Sequence, residues 1–126
     1  MVKINLDEPS ANPSTHRIEL KANRTSIAAG AIRFEVANQS KSLIHEMPAV
    51  KTTAPPSALP RDPQRHEVAE SKIDSLGDVS ELKPGASGAL TIDLKPGEYL
   101  LICNRPGHVD AGMAVRLTGD PARLLS

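Results

Sequence analysis

The run Cys103-Asn-Arg-Pro-Gly-His108-Val-Asp-Ala-Gly-Met113 gathers three metal-binding side chains into one short stretch. It holds the only cysteine of the chain, one of its four histidines and one of its three methionines. A thiolate, an imidazole nitrogen and a thioether all donate to soft or borderline metals. Joined by a second imidazole, they make up the donor set of a copper site that passes single electrons. The thiolate binds copper strongly, imidazoles suit both oxidation states, and a long thioether contact leaves the site near trigonal. A geometry that both states tolerate has little to rearrange when an electron arrives. Pro106 stiffens the loop, while Gly107 and Gly112 permit sharp turns, so Cys103, His108 and Met113 can converge on one ion.

The second imidazole must come from elsewhere, and His45, in Leu43-Ile-His-Glu-Met47, is the best candidate. It sits on a predicted strand just after a turn, far away in sequence, as suits a ligand supplied by a neighbouring strand. His16 and His66 lie in polar surroundings and are expected to be solvated. Either is the fallback should His45 not serve. Glu46 is expected at the surface or beside the site, and Asn104 and Arg105 as residues that shape the loop. Arg105 could also orient an anionic partner.

Blander readings stand beside these. A lone Cys is most often a small buried hydrophobe, a loop His is usually solvated, and a Met before a strand is often core filler. Zinc could occupy Cys/His₂, but structural zinc prefers four strong donors and Met is a poor one. Catalysis by Cys103 with His108 as base would need separate supporting elements and a substrate cleft. Neither is suggested, so no enzymatic activity is expected.

With 126 residues the chain fits one domain, 1–126, able to bury a core. Fifteen basic residues balance fifteen acidic ones, which argues against nucleic acid or an anionic membrane surface as partner. Apolar runs are too short for a membrane-spanning helix. Met1-Val-Lys leads straight into a strand-like segment with no signal-peptide pattern. The chain is then either cytosolic or the remainder after a leader has been removed. A single Cys excludes an internal disulfide. With one Phe, one Tyr and no Trp, the core must rest on Val, Ile, Leu and Ala.

Period-2 alternation dominates. Val2/Ile4/Leu6, Ile18/Leu20, Ile32/Phe34/Val36 and Leu90/Ile92/Leu94 each read as half-buried strands. Leu43-Ile44 and Tyr99–Cys103 read as more buried ones, and Ala114–Leu117 closes the series. Asn38–Ser42 is a polar turn. Lys95-Pro-Gly-Glu98 predicts a tight hairpin joining the strand through Leu94 to the one from Tyr99. Pro48 should interrupt a ladder or require a bulge. About seven short strands suggest an all-β sandwich or barrel. Residues 52–87 carry five of the eleven prolines and little periodicity. They predict an ordered excursion linking the two halves of the sandwich, with a helical turn or short edge strands near Val68–Ile73.

Cys103-x4-His108-x4-Met113 with His45 upstream resembles the cupredoxin family, in particular small bacterial plastocyanin- and azurin-like blue-copper proteins. The likeness extends through Asn38-Gln-Ser-Lys41, His45-Glu46, Lys51-Thr52, Leu59-Pro60, Leu94-Lys-Pro-Gly97 and Tyr99–Cys103, covering roughly residues 16 to 118. It implies a Greek-key β-sandwich with one copper near one end, cycling between Cu(I) and Cu(II). The implied ligands are His45, Cys103, His108 and the weak axial Met113. It further implies an extracytoplasmic monomer that shuttles electrons between redox partner proteins, with His108 near the surface as the electron's port. Glu46 departs from the family, where Asn is frequent and ties the ligand loops together. Two other functions remain: a periplasmic copper chaperone or buffering protein, and a metal-free interaction domain.

Overall fold

The computed structural model describes residues 2–10, 17–40, 43–105, 108–109 and 113–121. The alternating segments form strands as expected. One sheet comprises β1 (Val2–Ser10), β2 (Arg17–Ala22), β4 (Gly30–Asn38) and β9 (Ser87–Leu94), in the order β2-β1-β4-β9. The second comprises β3 (Ser26–Ala28), β5 (His45–Lys51), β8 (Ser75–Leu82), β10 (Gly97–Ile102) and β11 (Ala114–Asp120), in the order β3-β11-β10-β5-β8. A short hairpin pairs β6 (Arg61–Asp62) with β7 (Glu67–Val68). Most pairs are antiparallel, but β1 runs parallel to β4 and β11 parallel to β3. The result is an all-β Greek-key sandwich.

Alternation explains the core between the sheets. Val2, Ile4 and Leu6 of β1, and Ile32, Phe34 and Val36 of β4, point inward, while Lys3, Asn5 and Arg33 face water. Met47 and Ala49 of β5, Tyr99 and Leu101 of β10 and Leu117 of β11 meet them from the other sheet. Phe34 and Tyr99 are the largest fully buried side chains, so the only two aromatic residues both serve this core.

The continuous apolar runs of β5 and β10 have a separate cause: both of their faces are covered. Val50, Leu100 and Ile102 point away from the core and pack against Leu59, Val68 and Val109. A strand buried on both sides loses its alternation. The cover comes from residues 52–74, which carry 3₁₀ turns at Pro56–Ala58 and Glu70–Lys72 around the β6–β7 hairpin. Burying side chains such as Leu59 and Val68 is worth about 1.5–3 kcal/mol each, and this holds a proline-rich segment on the sheet. Arg116 Nη1 donates to Thr52 O at 2.5 Å and Nη2 to Ala54 O, pinning the start of the segment.

The structure corrects the sequence expectations at three places. Residues 52–87 run from β5 in one sheet to β9 in the other, but only the Lys83–Ala86 turn makes the crossing, since β5 and β8 are antiparallel neighbours in one sheet. The irregular part also stops at Asp74, because Ser75–Leu82 is an eight-residue strand. This edge strand buries only Val79 and Leu82 and leaves Leu76 exposed, so it lacks a clear period. Lys95-Pro-Gly-Glu98 makes no hairpin either, since β9 and β10 lie in different sheets. The Pro-Gly signal bends the chain without specifying which sheet it enters next. Here it forms a corner, closed by Tyr99 Oη donating to Lys95 O at 2.5 Å. Lastly, Leu43-Ile44 precede the strand, which starts at His45.

Pro48 behaves as its chemistry demands. The β5–β10 ladder stops at Ala49–Leu101, just short of it, and irregularities in the β5–β8 register flank it on both sides.

Candidate metal centre

The site is built where β5 begins and β10 ends. His45 is the first residue of β5, and Cys103 directly follows β10. Register brings them together. Asn104 N donates to Glu46 O at 3.3 Å, so the chain past β10 runs alongside the start of β5. His45 Nδ1 lies 3.3 Å from Cys103 Sγ. His108 comes from the loop between β10 and β11, where its N–H donates to Arg105 O at 3.0 Å. That turn puts His108 Nδ1 at 3.2 Å from the same sulfur. The two imidazole rings are 5.1 Å apart between centroids and tilted by 55°.

Two nitrogens and one sulfur thus all lie within 4.8 Å of one another. Donors about 2.0 and 2.3 Å from a common ion, and about 120° apart, stand roughly 3.7 Å from each other. The observed sulfur–nitrogen gaps are a few tenths of an ångström below that, so small outward shifts admit an ion. The donor set also fits: two imidazoles and a thiol, with both His45 and Cys103 fully buried and His108 partly exposed. Among the described residues this is the one cluster of its kind.

Met113 is held to the site by its backbone. Cys103 N donates to Met113 O at 3.0 Å, and Met113 N donates to His108 O at 3.1 Å. Its side chain is fully buried in the cluster that contains Cys103. His66 is elsewhere, exposed in the β6–β7 turn, where its N–H donates to Asp62 O at 2.9 Å. His16 lies outside the described residues.

Electrostatics at the centre favour a neutral thiol until a cation arrives. Burial pushes the Cys103 thiol up to about 11, with hydrogen bonding from the backbone of Glu46 and Arg105 offsetting part of the effect. Glu46 is also displaced, up to about 7, first by burial and then by the nearby charge of Glu70. Arg105 pulls it the other way. Arg105 itself pairs with Glu81 at 3.1 Å. Glu46 is therefore a half-buried carboxylate beside the site, and its backbone carbonyl, rather than its side chain, ties the ligand segments together.

Sequence reasoning missed the polar frame. The buried polar residues among those described are Asn38, Ser40, His45 and Asn104, and every one belongs to this end of the sandwich. Ser40 Oγ is 2.6 Å from His45 Nε2. Asn38 Oδ1 accepts from Ser40 N at 2.9 Å, and its Nδ2 donates to Leu43 O and Leu82 O at 2.8 and 2.7 Å. Asn104 Oδ1 accepts from Val68 N and its Nδ2 donates to Val68 O. No buried side-chain nitrogen or oxygen among the described residues is left without a partner. The one available signal was Asn-x-Ser at 38–40, a pattern suited to a side-chain-closed turn.

No family model and no curated protein sequence matches the chain. Solved structures do. Auracyanin from the photosynthetic bacterium Roseiflexus castenholzii superposes with a TM-score of 0.63 at 20% identity, covering 94% of this chain and 97% of that one. Auracyanin B gives 0.59 at 24% identity, with 94% and 88% covered. Rusticyanin from Thiobacillus ferrooxidans gives 0.62 at 16% identity, with 94% and 76% covered, and rusticyanin is a copper protein. At such identities the likeness is one of architecture, and along nearly its whole length this chain has the β-sandwich fold of auracyanin and rusticyanin, the cupredoxin fold.

Proposed function

We propose that this chain is a type 1 copper protein that carries single electrons between redox partner proteins. His45, Cys103 and His108 would hold the ion as its strong donors, with the Met113 thioether as a weak fourth. The observation that carries this reading is the convergence of two imidazole Nδ1 atoms on one buried cysteine sulfur, at 3.3 and 3.2 Å. Resemblance in fold to the copper protein rusticyanin supports the identity of the metal. Copper, when bound, supplies a one-electron couple.

The chain's own residues do the rest. Cys103 gives up its proton to become a thiolate. His45 and His108 offer neutral nitrogens, held at fixed spacing by the β5–β10 pairing and the Arg105–His108 turn. The burial of His45, Cys103 and Met113 excludes water, so that little solvent need reorganise when the charge changes. His108 is the most exposed of the three strong donors and is the point of electron exchange with a partner. The proposed setting is extracytoplasmic. No described helix is long and apolar enough to cross a membrane. The chain acts as a carrier and not as an enzyme.

The experiment is a visible absorption titration of the metal-free protein with Cu(II), with Cys103→Ser as control. An intense charge-transfer band in the red, saturating at one equivalent and missing from the variant, is the expected result. A faint band that survives the substitution would sink the proposal.

A further inference from the structure

We propose that the Ser40 hydroxyl is the positioning group for His45. It accepts a hydrogen bond from Nε2–H, and so it presets the imidazole with Nδ1 as the lone-pair nitrogen facing Cys103. The metal-affinity part of this inference rests on the copper reading above; the tautomer part does not.

Three observations carry it. The Oγ–Nε2 separation is 2.6 Å and both residues are buried, so the contact is direct and shielded from water. The opposite ring nitrogen, Nδ1, is the one that meets Cys103 Sγ. An imidazole that binds a metal through one nitrogen carries its proton on the other, and a fixed acceptor there sets both tautomer and ring plane. Thirdly, Ser40 is itself immobilised. Its N–H is held by Asn38 Oδ1, and the amide of Asn38 spans to Leu43 O, just before His45, and to Leu82 O at the end of β8. The backbone of Asn38 adds two bonds to the β8–β9 turn: its N–H donates to Ala86 O at 2.9 Å, and Gly85 N donates to its carbonyl at 2.8 Å. The acceptor thus hangs on a frame anchored in both sheets, while Lys41 and Ser42 stand between it and the ligand in sequence.

Two measurements decide the matter. Long-range ¹H–¹⁵N correlation spectra of the metal-free protein report which ring nitrogen of His45 is protonated. The expected result is the Nε2–H tautomer in the wild type and in Ser40→Thr, which keeps the hydroxyl, and a mixture of tautomers in Ser40→Ala. Chelator competition should then show Cu(II) bound about 10- to 100-fold more weakly by Ser40→Ala, with Ser40→Thr restoring most of the loss. The red charge-transfer band should shift in parallel in Ser40→Ala. A wild-type His45 protonated on Nδ1 overturns the inference. So does a Ser40→Ala protein that keeps both the wild-type tautomer and the wild-type affinity. Should the wild type bind no copper, the proposed function falls, and the tautomer spectra alone decide the role of Ser40.

Discussion

The Asn104 carboxamide pairs with the backbone of Val68 as a second strand would, accepting from its N–H at 2.8 Å and donating to its carbonyl at 3.0 Å. Asn104 follows the candidate ligand Cys103, and Val68 lies in the segment that covers the outer face of its sheet. One side chain therefore joins the candidate metal centre to the proline-rich cover. Asn104→Ala leaves a buried N–H and a buried carbonyl short of a partner, at a cost of about 2 kcal/mol. Denaturant unfolding should show a lower midpoint, and limited proteolysis should show earlier cleavage within residues 52–74. Unchanged proteolysis would mean that Leu59 and Val68 hold the cover by apolar contact alone.

Copper binding should expel a proton. Burial holds the thiol of Cys103 up to about 11, so the metal-free protein carries it protonated at neutral pH, whereas the ligand is the thiolate. Affinity should rise about tenfold per pH unit between roughly pH 7 and 9 from this group. Calorimetric titration in buffers of different ionisation enthalpy counts the protons released. A count of zero would mean that the sulfur does not bind the metal.

The same displacement links to the stability of the metal-free chain. Its thiol titrates higher in the folded state than in the unfolded one, so between its ordinary value of 9.0 and about 11 the native state holds the extra proton. Stability must then fall as pH rises through that window. Glu46 has the same sign lower down, displaced from 4.5 to about 7. Its contribution is fully present below pH 4.5 and is lost as pH rises through about 7. Glu46→Gln should therefore flatten the decline of metal-free stability between about pH 4.5 and 7, followed by thermal melting across that range. An identical slope in the variant would assign the decline to other groups.

Gly119→Ala tests the corner between the sheets. An added Cβ would stand 2.8 Å from Lys95 O and 3.3 Å from Leu94 Cδ2 and Tyr99 Cε2. The first of these is backbone, and it also accepts the Tyr99 hydroxyl, so it cannot yield cheaply. A loss of about 1–3 kcal/mol is expected, read from equilibrium unfolding. Wild-type stability would show that the corner relaxes freely.

Much of this was legible in the residues. Val2/Ile4/Leu6 and Ile32/Phe34/Val36 alternate because one face of each strand is wet, and that pattern survives in the sequence. Cys103, His108 and His45 were legible because their chemistry is rare and the loop between the first two is short. Ser40, Asn38 and Asn104 were not, because a polar residue in a turn looks the same whether it faces water or a ligand. Only the fold shows that they are buried. β8 was missed because an edge strand with one exposed Leu and a Gly at positive φ carries no clear period. The corner at Lys95–Gly97 was misjudged because turn chemistry is local, while sheet membership is decided by strands far away.

β11 has a consequence in time as well as in space. It pairs with β10 beside it and, in parallel, with β3, about ninety residues earlier. Pairing with β3 must wait for the intervening chain, whereas β10 and β11 are close in sequence and can meet early. Cys103, His108 and Met113 all fall between those two strands, so three of the four candidate donors belong to the short-range part of the sheet, and only His45 has to be brought in from β5.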